Sequence, residues 1–210
     1  MKLLCIDTTK PEAVICLNNE GQTNCICIPD TKRHSEALLN EIENFLCENK
    51  LSINDVTHLG CVTGPGSFTG IRIGMATVKA LSFALNIPIV CGDYFNIVGG
   101  LVKNAYVALK NTSTSVYLAE ISRSKCKQIE VVENLRIIEQ IETKKLYTSQ
   151  NEQIAGVEAY KELYNISMQE YQETMLNYFI NQVETGKFVK SANFVPVYAQ
   201  LSQAERNLKG

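Results

Sequence analysis

The residues best equipped for chemistry lie in two short stretches. One is Gly64-Pro65-Gly66-Ser67-Phe68-Thr69-Gly70-Ile71-Arg72-Ile73-Gly74, a glycine-rich loop fed by an apolar run and followed by another. The other is Asp7-Thr8-Thr9, an acid and two hydroxyls closing the first apolar run of the chain. Glycine permits positive φ and close backbone approach. A glycine loop that opens a helix turns free N–H groups outward, which suits an anion. Asp7, Thr8, Gly64, Gly66, Ser67, Thr69, Gly70 and Arg72 are therefore the candidates for anion or nucleotide contact. The same glycines would serve equally well to pack a helix tightly against its neighbours.

The spacings exclude the common loops of this kind. A P-loop needs lysine after its last glycine, and Gly70 is followed by Ile71-Arg72. The dinucleotide fingerprint needs two residues between its second and third glycines, and three separate Gly66 from Gly70. A nucleophile elbow places glycines two residues either side of the serine, whereas Ser67 has Pro65 and Thr69 there. Ser67 reads as a helix-entry cap. The eight cysteines sit mostly in apolar runs without a Cys-x-x-Cys pair, so they are expected as reduced core thiols.

The elements that must position these residues follow from periodicity. Apolar runs at 2–7, 13–17 and 22–29 predict three strands, the last two joined by the hairpin signal Asn18-Asn19-Glu20-Gly21. An amphipathic helix runs from His34-Ser35-Glu36 to about Asn49, with Ser35 as its expected N-cap and Leu38, Ile42 and Phe45 on its apolar side. A short capped turn at 52–55, a strand at 57–63, a helix at 72–85 and a strand at 87–92 complete a β-β-β-α-β-α-β order. The second helix is apolar nearly all round, so it should be covered on two sides. Residues 105–110, 115–121, 128–133 and 145–148 are expected as strands, 134–141 as a short helix and 170–185 as a longer one stopped by Gly186. Proline makes 195–198 extended. The fold class is α/β, with a lobe over 1–98 and a degenerate repeat of it over 99–210 whose C-terminal tail returns toward the first lobe.

These residues resemble a known family. The run from Gly64 to Gly74 is similar to the signature of the TsaB (YeaZ) family. Cys5-Ile6-Asp7-Thr8-Thr9 resembles the family's opening strand and turn, His34-Ser35-Glu36-x-Leu38-Leu39 the start of its first helix, and Val195-Pro196-Val197-Tyr198 with Ala204-Glu205 its tail. The resemblance is specific over residues 1–92 and weak beyond them until the tail. It implies an actin/Hsp70-like (ribonuclease H-like) two-lobe fold. It implies a part in forming threonylcarbamoyladenosine at position 37 of tRNAs that read codons beginning with A. There the chain would be the non-catalytic partner of the catalytic subunit TsaD, joined by the ATPase TsaE, and a homodimer in the partner's absence.

The residues bear on that implication. The family's catalytic sister holds its metal with a His-x-x-x-His pair on the first helix. Here His34 is followed four residues later by Leu38, and the only other histidine is His58. No metal site and no catalytic residue are expected, and neither is a resident cofactor, although the resemblance leaves room for a nucleotide at the partner interface. The expected partner surface is the helix pair, through Leu38, Leu39, Ile42, Phe45, Ile73, Met75, Val78 and Leu81.

Two alternatives stay open. One is a self-sufficient enzyme of the same fold, a nucleotide-binding protein or a metal-dependent, peptidase-like hydrolase. The other is a direct tRNA binder, which the net charge of −2 and the sparse lysines at 144, 145, 187 and 190 disfavour, so that tRNA is met only through the complex. The 210 residues are 45% hydrophobic and 20% charged, the balance of a soluble protein. Asp7 interrupts any signal-peptide core, and no run of transmembrane length is expected. The expected location is the cytoplasm, with no membrane partner.

Overall fold

Two separate five-stranded sheets organise the chain in the computed structural model, which describes residues 1–29, 34–141, 144–150, 152–158, 160–190 and 193–199, the side chains of residues 34–36 excepted. The expected Ser35 cap, the side chain of His34 and the Ala204-Glu205 motif fall outside the described residues. The chain divides into two compact units. The first combines Met1–Asp93 with Leu176–Val197, and the second is built on Tyr94–Met175.

In the first unit the strands are β1 (Lys2–Asp7), β2 (Ala13–Asn19), β3 (Gln22–Ile28), β4 (His58–Val62) and β5 (Ile89–Gly92). Their spatial order is β3-β2-β1-β4-β5. The first three form an antiparallel meander, and Glu20 and Gly21 make its tight turn with φ of 54° and 98°, as the hairpin signal requires. β4 and β5 add in parallel, which needs crossover helices. These are α1 (His34–Glu48) and α2 (Phe68–Leu85). Both bury one side on the sheet. Leu38, Ile42, Phe45 and Leu46 of α1 and Ile71, Met75 and Val78 of α2 share a core with Leu4, Ile6, Ile15 and Leu59.

One expectation is corrected here. α2 begins at Phe68, one turn before residue 72, because the Ser67 hydroxyl accepts from Gly70 N at 3.2 Å and caps the helix. Thr69, Gly70 and Arg72 are thereby helical residues. α2 is also long and apolar enough, with a mean hydropathy of 1.2, to cross a membrane by length and composition alone. Its burial against its own sheet through Ile71 and Val78 makes it the covering helix of an α/β lobe.

The cysteine expectation is corrected as well. Cys16 and Cys25 are direct partners across the β2–β3 ladder, with Cα atoms 4.1 Å apart, and they form a disulfide. Sequence separation alone did not show that the hairpin register sets them opposite each other. Cys5 and Cys61 are buried thiols, and burial pushes both well above the ordinary thiol range.

The second unit holds α3 (Tyr94–Val98), β6 (Ala105–Lys110), β7 (Ser115–Ser122), β8 (Lys125–Glu133), α4 (Ile137–Ile141), β9 (Leu146–Ser149) and β10 (Leu163–Ile166). The sheet order is β10-β9-β6-β7-β8. Like the first sheet it is an antiparallel meander extended by parallel strands, which matches the expected loose repeat. Strand β10 and the five-residue α3 are missing from the sequence reading, being too short to show a period. Helix α5 (Met168–Glu184) closes the described elements, and its residues from Leu176 onward group with the first unit.

Candidate functional site

β1 is the central strand of its sheet, and all of it except Lys2 is buried. It ends at Asp7, which is fully buried. The Asp7 carboxylate accepts from Thr9 N at 2.8 Å and from Thr9 Oγ1 at 2.7 Å. This aspartate-capped turn folds Thr8 and Thr9 toward the glycine loop. Thr8 and Thr9 are also buried, at 1% and 2% exposure, so neither hydroxyl faces solvent.

The loop meets that turn directly. Ser67 N donates to the carbonyl oxygen of Thr9 at 2.8 Å, and Thr8 Oγ1 donates to that of Gly70 at 2.6 Å. A Cβ on Gly66 would collide with the Thr9 carbonyl, one on Gly70 with the Thr8 carbonyl, and one on Gly74 with the Thr8 hydroxyl. Gly70 and Gly74, one helical turn apart, form a smooth strip on α2 that lies on the end of β1. Gly64 and Gly66 have φ of 121° and 157°, a backbone that side chains rarely adopt. The Gly64–Pro65 peptide is cis.

The far end of the loop is closed by the tail. Val197 N donates to Thr63 O at 2.8 Å, and a Cβ on Gly64 would lie 2.5 Å from the Val197 carbonyl oxygen. Thr63 in turn donates from its N–H, at 3.0 Å, and from its hydroxyl, at 3.3 Å, to Gly92 O. All of these residues belong to the first unit. The cluster stands at the carboxyl ends of β1 and β4, where α/β sheets customarily hold ligands. Here the glycine surfaces that a phosphate would use press on Thr8, Thr9 and Val197.

The structure thus brings Asp7, Thr8, Gly64, Gly66, Ser67 and Gly70 into one packed cluster. It places Thr69 and Arg72 apart, on the exposed side of the first turns of α2. Thr9, Thr63, Gly74 and Val197 are members that the sequence reading did not select. Gly74 carried a legible signal, its four-residue spacing from Gly70; Val197 carried none.

The eight side chains expected at a partner surface divide in two. Leu38, Ile42, Phe45, Met75 and Val78 are 0–8% exposed, in the lobe's own core. The physical reason is that each lies on the helix side facing the sheet. Ile73 and Leu81 are half-buried against the same core, and Leu39 is 57% exposed. The apolar surplus of α2 points outward instead through Ala76, Ala80, Phe83 and Ala84, with Phe83 91% exposed. Only 28% of this helix is buried. These four positions fall on one helical stripe.

Comparison with known proteins places these features. Residues 29–93 match the family model described as TsaD, tRNA N6-adenosine threonylcarbamoyltransferase. The chain is 30% identical over 90 residues to the tRNA threonylcarbamoyladenosine biosynthesis protein TsaB of Escherichia coli, covering 43% of this chain and 39% of that one. It is 25% identical over 131 residues to the TsaB protein of Haemophilus influenzae, covering 60% of this chain and 56% of the relative. The matched stretch thus spans about two fifths to just over half of these curated relatives. Among solved structures, a Pseudomonas aeruginosa protein described by its similarity to the peptidase YeaZ superposes with a TM-score of 0.73 at 18% identity. That superposition covers 95% of this chain and 99% of the other. At such identity the likeness gives the fold, which is the actin/Hsp70-like α/β class expected from the sequence.

Proposed function

We propose, from the premise that this chain belongs to the TsaB (YeaZ) family, that it is a non-catalytic subunit of the machinery forming threonylcarbamoyladenosine at position 37 of tRNAs that read codons beginning with A. The observation that carries this reading is the exposed apolar stripe of α2, Ala76, Ala80, Phe83 and Ala84, with Leu39 exposed on α1. A phenylalanine that is 91% exposed on a helix lined with alanines is an anchor without a pocket of its own. Alanines let a second helix approach closely. The occupant is the catalytic subunit TsaD, with TsaE joining that pair. When TsaD is absent, a second copy of this chain takes the same stripe.

Three features support a supporting role over a catalytic one. The position four residues after His34 is Leu38, which is 2% exposed in the core and has no ligating atom. The glycine loop is packed on Thr8 and Thr9 rather than shaped as a phosphate cradle. Thr8 and Thr9 are themselves buried, the Thr8 hydroxyl donating to Gly70 O and the Thr9 hydroxyl to the Asp7 carboxylate. The match of residues 29–93 to the transferase family supports descent of both subunits from one fold. Like-with-like pairing of their helices is then geometrically natural.

The test is reconstitution of tRNA modification with TsaD and TsaE, with and without this chain. Modification should depend on the chain and be lost with Phe83→Asp. Full modification in its absence would overturn the reading.

A further inference from the structure

The second unit contains a cleft of about 550 Å³ lined by Ser113, Thr114, Glu133, Asn134, Leu135 and Ala155. Three pieces of chain build it. Ser113 and Thr114 belong to the turn joining β6 to β7, Glu133 ends β8 with Asn134 and Leu135 directly after it, and Ala155 lies in the connection between β9 and β10. Asn134 ties the first two together. Its backbone N–H donates to Thr114 O at 2.9 Å, and its side-chain nitrogen donates to Ser113 O at 3.1 Å.

That second bond fixes the orientation of the amide. Ser113 O is a carbonyl and can only accept, so the nitrogen must face it. The Asn134 side-chain oxygen is then left buried with no hydrogen-bond partner, on a residue that is 6% exposed. Buried acceptors without a donor are uncommon in folded proteins and ask for an explanation. The neighbours suggest the missing partner's chemistry. Glu133 is an exposed carboxylate, and Leu135 is an apolar side chain 81% exposed. Glu158, whose carboxylate accepts from Gly156 N at 2.8 Å, adds negative charge beside Ala155. Arg136 follows in the chain but does not line the cleft.

We propose that this cleft binds an alkylammonium or alkylguanidinium group. The cationic head meets the Glu133 carboxylate and donates to the Asn134 side-chain oxygen, while its aliphatic arm lies along Leu135. The oxygen is closed off from solvent in the free chain, so the lining of the cleft must part for the cationic head to reach it. The group comes either from a lysine or arginine side chain of another polypeptide or from a free polyamine. The site is independent of the helix stripe proposed to hold TsaD.

The test is a heteronuclear NMR titration of the intact chain with n-butylammonium, n-propylguanidinium and, as a neutral control, n-butanol. Saturable shifts of the Ser113, Thr114, Asn134, Leu135 and Ala155 amides are expected with the two cations and not with butanol. Glu133→Gln should weaken binding about three- to fivefold, the range for a partly exposed ion pair. Leu135→Ser, at an exposed position, should erase the advantage of n-butylammonium over methylammonium. Tighter binding of a lysine-containing tripeptide than of spermidine assigns the source to a polypeptide, and the reverse order assigns it to a free polyamine. Cation-induced shifts that miss the cleft, or equal shifts with butanol, would overturn the proposal.

Discussion

The Thr8 hydroxyl donates to the carbonyl oxygen of Gly70 at 2.6 Å across 62 residues of sequence, while the Thr8 carbonyl occupies the space a Gly70 side chain would need. One residue thus both bonds to α2 and sets how closely it approaches β1. Gly70→Ala should therefore destabilise the protein by about 1–3 kcal/mol, the cost of overpacking a closed contact. Thr69→Ala, one residue earlier and exposed, should stay within about 0.5 kcal/mol of the parent. Denaturant unfolding of the two variants checks this. Equal midpoints would show that the loop has room and would revive the anion-cradle reading.

The two sides of α2 should respond oppositely to charge. Val78 is fully buried and Phe83 is 91% exposed on the same helix. Val78→Asp should cost more than about 3 kcal/mol or prevent folding, since an unpaired carboxylate would enter the core. Phe83→Asp should leave the unfolding midpoint of the monomer nearly unchanged and abolish co-elution with TsaD. Size-exclusion chromatography beside thermal unfolding separates the two effects. A Phe83→Asp chain that still co-elutes would remove the stripe as the docking surface.

A pH dependence should arise at His58. Its ring stacks on Phe188 at 5.8 Å between centroids, and its Nδ1 lies 2.8 Å from Thr57 Oγ1. Burial, and then the positive N-terminus, hold its pKa below the ordinary histidine value. The folded state therefore resists a proton that the unfolded chain accepts. Stability should fall as pH drops through the unfolded value of about 6.5 and level off below the folded pKa. His58→Asn should flatten this segment of a melting-temperature profile taken from about pH 7.5 to about 5.5. An identical slope in parent and variant would assign the dependence to other groups.

Local patterns made much of the first lobe legible. Strand alternation, the turn at Glu20-Gly21 and the amphipathic spacing of Leu38, Ile42 and Phe45 each depend on neighbours within a few residues. Ser67 as a helix cap was readable for the same reason, since its partner, Gly70 N, is three residues away. The glycine loop announced itself as special, but its purpose did not. What stands against its glycines is set by segments distant in sequence, Thr8, Thr9 and Val197.

The sequence by itself thus determined the order of elements from β1 to β5, the apolar excess of α2 and the absence of a second histidine on α1. Only the tertiary structure decided which side of α2 is spent on the core and which is left over, because a helix apolar all round carries no mark of the face its sheet will take. It likewise decided that Cys16 and Cys25 meet, since hairpin register sets that distance. The orphaned oxygen of Asn134 became visible in the same way: it depends on Ser113, 21 residues back, claiming the other end of the amide. Periodicity reports a residue's neighbours along the chain, whereas hydrogen-bond partners and helix faces are settled by segments that meet only when the chain folds.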